Sequence, residues 1–74
     1  MRHPTFATLE ELVNLSRVME LEQSTTFKYT GKDYLSYVRV RETLIEALRK
    51  EHRPGTFAVS VSYPAFNVYY YNPD

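Results

Sequence analysis

Cysteine is absent from this chain, which removes disulfide frameworks, thiolate nucleophiles and cysteine zinc sites from consideration. Glycine is nearly absent too, with Gly31 and Gly55 the only two. A P-loop or a dinucleotide fingerprint needs several glycines to bring backbone amides against phosphates, so neither motif is present. There is no G-x-S-x-G nucleophile elbow and no H-E-x-x-H helix. Excess charge of one sign is also missing, because nine basic and nine acidic residues cancel. A protein that grips duplex DNA by neutralising phosphates carries a clear basic excess. No apolar run approaches the roughly 18 residues of a membrane span, and the start Met1-Arg2-His3-Pro4-Thr5-Phe6 has no apolar h-region. A cytoplasmic protein without membrane contact is therefore expected.

The remaining polar chemistry is sparse. His3 and His52 are the only histidines, and neither has a His or Asp partner three or four residues away. His3 reads as a solvated terminal residue and His52 as a cation at a helix C-terminus, so neither is assigned as a metal ligand. Glu10–Glu11 is explained by helix-start electrostatics. Glu42–Glu46 lies among Arg39, Arg49 and Lys50 on a solvated helix side. General acid–base work needs burial that drives two pKa values apart, and nothing in the sequence demands it. The chain is expected to be non-enzymatic, with no cofactor.

What is present is aromatic and ordinary in polarity. Seven Tyr and four Phe each bring a large contact area to a core. The chain is 43% hydrophobic and 24% charged, which is globular composition. With 74 residues it buries only about 60% of its unfolded surface, so one tightly packed domain spanning 1–74 is the expectation. Charge is unevenly spread. Residues 31–53 hold six basic and four acidic groups, whereas residues 54–74 hold only Asp74.

Thr8-Leu9-Glu10-Glu11 is a capping-box pattern and predicts a helix from Leu9 to about Glu22. Its apolar face comprises Leu9, Leu12, Val13, Leu15 and Met19, with Val18 and Leu21 outside it. Those two mark either a fraying end or a second contact face. Residues 25–30 alternate as a strand ending at Gly31, with Lys28 suited to an exposed edge.

Asp33 can cap a second helix from Tyr34 to about His52, with Tyr34, Tyr37, Val38, Leu44, Ile45 and Leu48 on one face. Leu44, Ile45 and Leu48 are expected in the core. A basic end and then Pro54-Gly55 stop this helix. A competing reading makes residues 25–40 a hairpin around Gly31-Lys32 and starts the helix at Leu44; the long helix is preferred. Arg41 projects into the middle of the apolar face. It is either a snorkelling side chain or a guanidinium fork held for a partner's carboxylate or phosphate.

Thr56 to Tyr63 is the clearest strand, with Phe57, Val59, Val61 and Tyr63 facing one way. Pro64 interrupts it, and residues 65–71 resume. The expected fold is α+β, with two helices packed on a small antiparallel sheet of about three strands.

The C-terminal third is an uncharged aromatic surface, which as a sheet edge invites association. Tyrosine is also enriched in binding patches. Arg41, Tyr63, Phe66, Tyr69, Tyr70 and Tyr71 are therefore the candidate partner-binding residues. In Tyr69-Tyr70-Tyr71 the outer two point one way and Tyr70 the other. These tyrosines are either ordinary sheet or the docking surface.

In size, start and lack of catalytic motifs, and in the ending Arg53-Pro54-Gly55-Thr56-Phe57 through Tyr69-Tyr70-Tyr71-Asn72-Pro73-Asp74, the whole chain resembles the small host-takeover proteins of lytic bacteriophages. That class includes inhibitors of host RNA polymerase and anti-CRISPR proteins. The resemblance implies steric docking on a larger host protein, with RNA polymerase as the first candidate, and carries over no individual residue. The alternative function is single-stranded nucleic-acid binding, with sheet aromatics stacking bases and Arg39, Arg49, Lys50 and Arg53 following the backbone.

Overall fold

The computed structural model describes residues 3–53 and 55–73. Met1, Arg2, Asp74 and Pro54, the last read above as part of a helix stop, lie outside the described residues. Among those described, the order is β1 (Thr5–Phe6), α1 (Leu9–Val18), β2 (Ser24–Tyr29), α2 (Tyr37–Glu51), β3 (Thr56–Ser62) and β4 (Ala65–Tyr71). The α+β class and the two helices match the sequence reading. The sheet differs: it has four strands in the order β1-β2-β4-β3, and it is mixed, because β1 runs parallel to β2.

The Thr8 cap at the start of α1 forms, its hydroxyl accepting from the Glu11 amide at 3.1 Å and so satisfying a donor that would otherwise lack a partner. The Glu11 carboxylate reaches back to the amide of Ala7, one residue before the cap, at 3.2 Å. The helix ends at Val18, four residues before the expected Glu22. Glu20, Leu21 and Glu22 favour helix, yet the chain must turn there so that Leu21 packs on the core and Ser24 enters β2. Val18 is exposed at the helix end and Leu21 lies beyond it, so these two do not form a second helical face. Ser16 is fully buried on the core side, with its hydroxyl donating to the Leu12 carbonyl at 2.9 Å.

The second helix starts at Tyr37 and not near Asp33. The Asp33 carbonyl accepts the Tyr29 hydroxyl, and the Leu35 amide donates to the Tyr63 hydroxyl at 3.3 Å. Residues 33–35 are thus tied across the end of the sheet, and the helix begins only after Leu35 has turned toward the core. The hairpin alternative is excluded, since residues 37–40 are helical and β2 pairs with β1 and β4.

The buried face of α2 is Val40, Leu44, Ala47 and Leu48, which is rotated from the expected one. Leu44 and Leu48 are core residues, Ile45 is half-buried, and Tyr34, Tyr37 and Val38 are exposed. Arg41 is exposed on a flank of the helix; it does not sit inside an apolar face, because Val40 occupies the inward position.

Strands β3 and β4 pair over seven residues, Thr56↔Tyr71 to Ser62↔Ala65, and β2 pairs with the other side of β4 from Ser24↔Tyr69 to Lys28↔Ala65. The tyrosine-rich strand is therefore central, not an edge. One sheet face meets the helices, and Phe6, Phe27, Phe66 and Val68 interlock there with Leu12, Val40, Leu44 and Leu48, all 0–1% exposed. Phe6 enters this core from β1, anchored by Lys28 N–H to the Pro4 carbonyl (2.9 Å) and Thr30 N–H to the Phe6 carbonyl (2.8 Å).

Candidate functional site

Alternation along the strands decides which side chains the helices leave uncovered. Across β2, β4 and β3 the open face carries the rows Lys28–Ala65–Ser62, Thr26–Asn67–Ser60 and Ser24–Tyr69–Ala58, with Tyr71 opposite Thr56 at the end. The Thr26 hydroxyl donates to the Asn67 side-chain oxygen at 2.7 Å, which fixes the middle row. Lys28 is the single charged residue in the three long strands. Tyr69 and Tyr71 rise from a floor of small neutral side chains, 49% and 66% exposed.

Tyr70 points the other way, as period-2 geometry requires. Its ring stacks on Phe57 at 5.1 Å and meets His52 edge-on at 6.1 Å. Gly55 makes this possible, because a Cβ there would collide with the Tyr70 ring. The His52 ring also contacts Phe57 at 6.3 Å, and its Nε2 donates to the Ser16 carbonyl at 3.1 Å. His52 therefore locks the end of α2 to α1 and to the sheet, a structural role beyond the charge expected of it at a helix end.

A second aromatic group lies at the opposite end of the sheet. Tyr63, at the β3–β4 turn and 40% exposed, contacts Tyr34 (5.6 Å), Phe66 (6.1 Å) and Tyr29 (6.3 Å). Burial pushes the Tyr29 hydroxyl above its ordinary value of 10.0, with Tyr63 and Asp33 adding to the shift.

The six residues singled out from sequence thus separate. Tyr69 and Tyr71 share the open face. Tyr63 sits with Tyr34 at the far turn, and Arg41 lies on the α2 flank. Tyr70 is half-buried, and Phe66, at 0% exposure, is core; a partner cannot reach it in the folded chain. Sequence reasoning missed Tyr34, Tyr37 and Val38 as surface residues, since all three are exposed beside Tyr63 or at the start of α2. No local signal marks the later start, since Ser36 makes no side-chain cap bond and the first turn of α2 carries no acid.

The structure also separates the two halves of the nucleic-acid alternative. The exposed ring pair lies on the open face, whereas Arg39, Arg49 and Lys50 belong to α2, which covers the other face. Among the described residues no three His, Asp or Glu side chains gather to hold a metal ion. No described helix is long and apolar enough to cross a membrane. No protein-family model, curated protein or solved structure matches this chain.

Proposed function

We propose that this chain is a non-enzymatic, cytoplasmic binding module that docks on a larger protein through the open face of its sheet. One observation carries the reading: Tyr69 and Tyr71 stand exposed, side by side, on the central strand, amid small neutral side chains. Tyrosines on a rigid strand lose little freedom on binding and supply both apolar area and a hydroxyl. The small neighbours leave room for a partner to close over both rings. By its resemblance to small phage host-takeover proteins, the module would inhibit or redirect a host enzyme by steric docking, with RNA polymerase the first to try.

The test is affinity capture from a host lysate, followed by binding measurements on the captured protein. Tyr69→Ala and Tyr71→Ala should each weaken binding by about 1–2 kcal/mol, roughly 5- to 30-fold, as interface tyrosines do. Binding unchanged in the double variant would refute the docking face.

Base stacking on the same two rings is the second reading, favoured by their spacing on one strand. Among the described residues Lys28 alone supplies charge to that face. Labelled single-stranded oligonucleotides at two salt concentrations discriminate the readings, because a nucleic-acid complex weakens steeply with salt.

A further inference from the structure

We infer that the outer edge of the sheet, β3 beneath the arginine-bearing flank of α2, takes an acidic extended segment of a partner protein as a fifth strand. Three observations converge on this edge. First, β3 is an unprotected template. It pairs with β4 without a bulge through seven residues, has no neighbour on its other side among the described residues, and contains no charge and no proline. Natural edges are normally blunted by one of those devices. Second, Phe57, Val59 and Val61 stay half-buried although they face the helices. An added strand would complete their cover.

Third, the outer side of α2 next to the edge carries more cations than acids. The helix α1 lies against the flank of α2 that carries Thr43 and Ala47, with Arg17 bridged to Glu51 at 3.6 Å. α1 also contacts β1, whereas α2 contacts β3. At helical periodicity Arg41 and Ile45 fall on the flank away from α1, which is the flank over the outer edge. A shallow groove along the solvent side of α2 is lined by Arg41, Arg49, Lys50 and Arg53 together with Glu42 and Glu46, and Glu46 is already engaged by Lys50 at 3.7 Å. Arg41 and Arg49 make no ion pair among the described residues.

β-Strand addition supplies main-chain bonds along the edge. Carboxylates on the helix-facing side of the added strand would meet the arginine forks, which bind them in charge-assisted pairs. A second copy fits less well. Pairing β3 with its own two-fold mate would bring two identical cationic flanks together over the seam.

The inference shares with the proposed function the premise that the chain works by docking, but it uses the sheet's rim in place of its open face. The probe is the end-blocked peptide Ser-Glu-Thr-Val-Thr-Glu-Ser, which reads the same in both directions and alternates acidic or apolar with small residues. It is titrated into the full chain and followed by two-dimensional NMR, alongside Ser-Lys-Thr-Val-Thr-Lys-Ser and a backbone N-methylated form of the acidic peptide.

The acidic peptide should shift residues 56–62 and the Arg41 and Arg49 side chains most, and bind about tenfold or more tightly than the lysine and N-methylated forms. R41E/R49E should reverse the charge preference, and Tyr69→Ala/Tyr71→Ala should leave peptide binding intact. Equal response to both charges, persistence after N-methylation, or shifts centred away from β3 would overturn the inference. Self-association through β3 in sedimentation would also overturn it, since the edge would then belong to a second copy. If R41E/R49E fails to fold, the three peptides on the unaltered chain still decide.

Discussion

Phe66 and Tyr69 lie on one strand, three residues apart, and the structure assigns them opposite roles, so truncating each in turn tests the architecture directly. Phe66 is completely buried, its ring centroid 6.1 Å from those of Phe6 and Tyr63, in register with Phe27 and Val61. Removing a ring that buries about 200 Å² at about 25 cal/mol per Å² costs about 5 kcal/mol, the top of the range of ~3–5 for Phe→Ala. A domain of 74 residues has about 4–11 kcal/mol in total, so Phe66→Ala should leave a large unfolded fraction without denaturant. Tyr69 is half exposed, beside Ser24 and Ala58. Tyr69→Thr keeps a strand-forming residue and should cost about 1 kcal/mol, because the half-covered ring sets only an upper bound. Urea titration followed by circular dichroism reads both values. Equal destabilisation would mean that Tyr69 is covered, and a tolerated Phe66→Ala would refute the assigned register.

Gly55→Ala should destabilise by about 1–3 kcal/mol, as overpacking does, because the new methyl meets the Tyr70 ring held against Phe57 and His52; an unchanged urea midpoint would refute the close approach. Tyr29→Phe should flatten the alkaline loss of stability. The Tyr29 hydroxyl titrates above 10.0 in the folded chain, so its contribution is complete below that pH and is lost as pH rises through the folded value. Below pH 10.0 the variant should also be weaker, having lost the bond to the Asp33 carbonyl. Urea midpoints at about pH 8 and about pH 11, with equal falls in both proteins, would refute the linkage.

What could be read from sequence follows from the range of the interactions involved. The Thr8 cap is local, and its bond from the Glu11 amide forms. The alternation of β3 is local too, and Phe57, Val59 and Val61 all turn toward the core. The start of α2 was misplaced because Asp33 and Tyr34 look like a cap and a first apolar residue. What overrides them is the Tyr29 hydroxyl on the Asp33 carbonyl and the Tyr63 hydroxyl on the Leu35 amide, the latter from a residue 28 positions away. Counting Tyr34, Tyr37 and Val38 as buried then rotated the helical face and drew Arg41 inward. β1 is two residues long, too short for any periodicity to register. The central place of β4 depends on its pairing with β2 about 40 residues earlier, as in Thr26 with Asn67, and it reversed the expectation that the tyrosine strand is an edge. Phe66 was lost from the candidate site for the same reason, while Tyr69 and Tyr71 stayed in it because side-chain alternation is independent of strand order.

Strand order also changes what the lack of charge in residues 54–73 means. On β4 an absence of charge is ordinary, since both sides of the strand are paired and Phe66 and Val68 fill the core. On β3 it is not, because that strand faces outward along its full length. A neutral, regular edge bearing alternate apolar side chains attracts any extended chain, and selectivity must then come from outside the strand. The first half of β2, the other edge beyond the short β1, borders Glu20 and Glu22 in a shallow depression, whereas α2, which packs on β3, carries Arg41 on its flank away from α1. The two edges of one sheet thus differ in sign. An acidic strand meets repulsion at β2 and attraction at β3, so the charge on the helices does what the strand itself does not: it chooses which chain pairs and on which side.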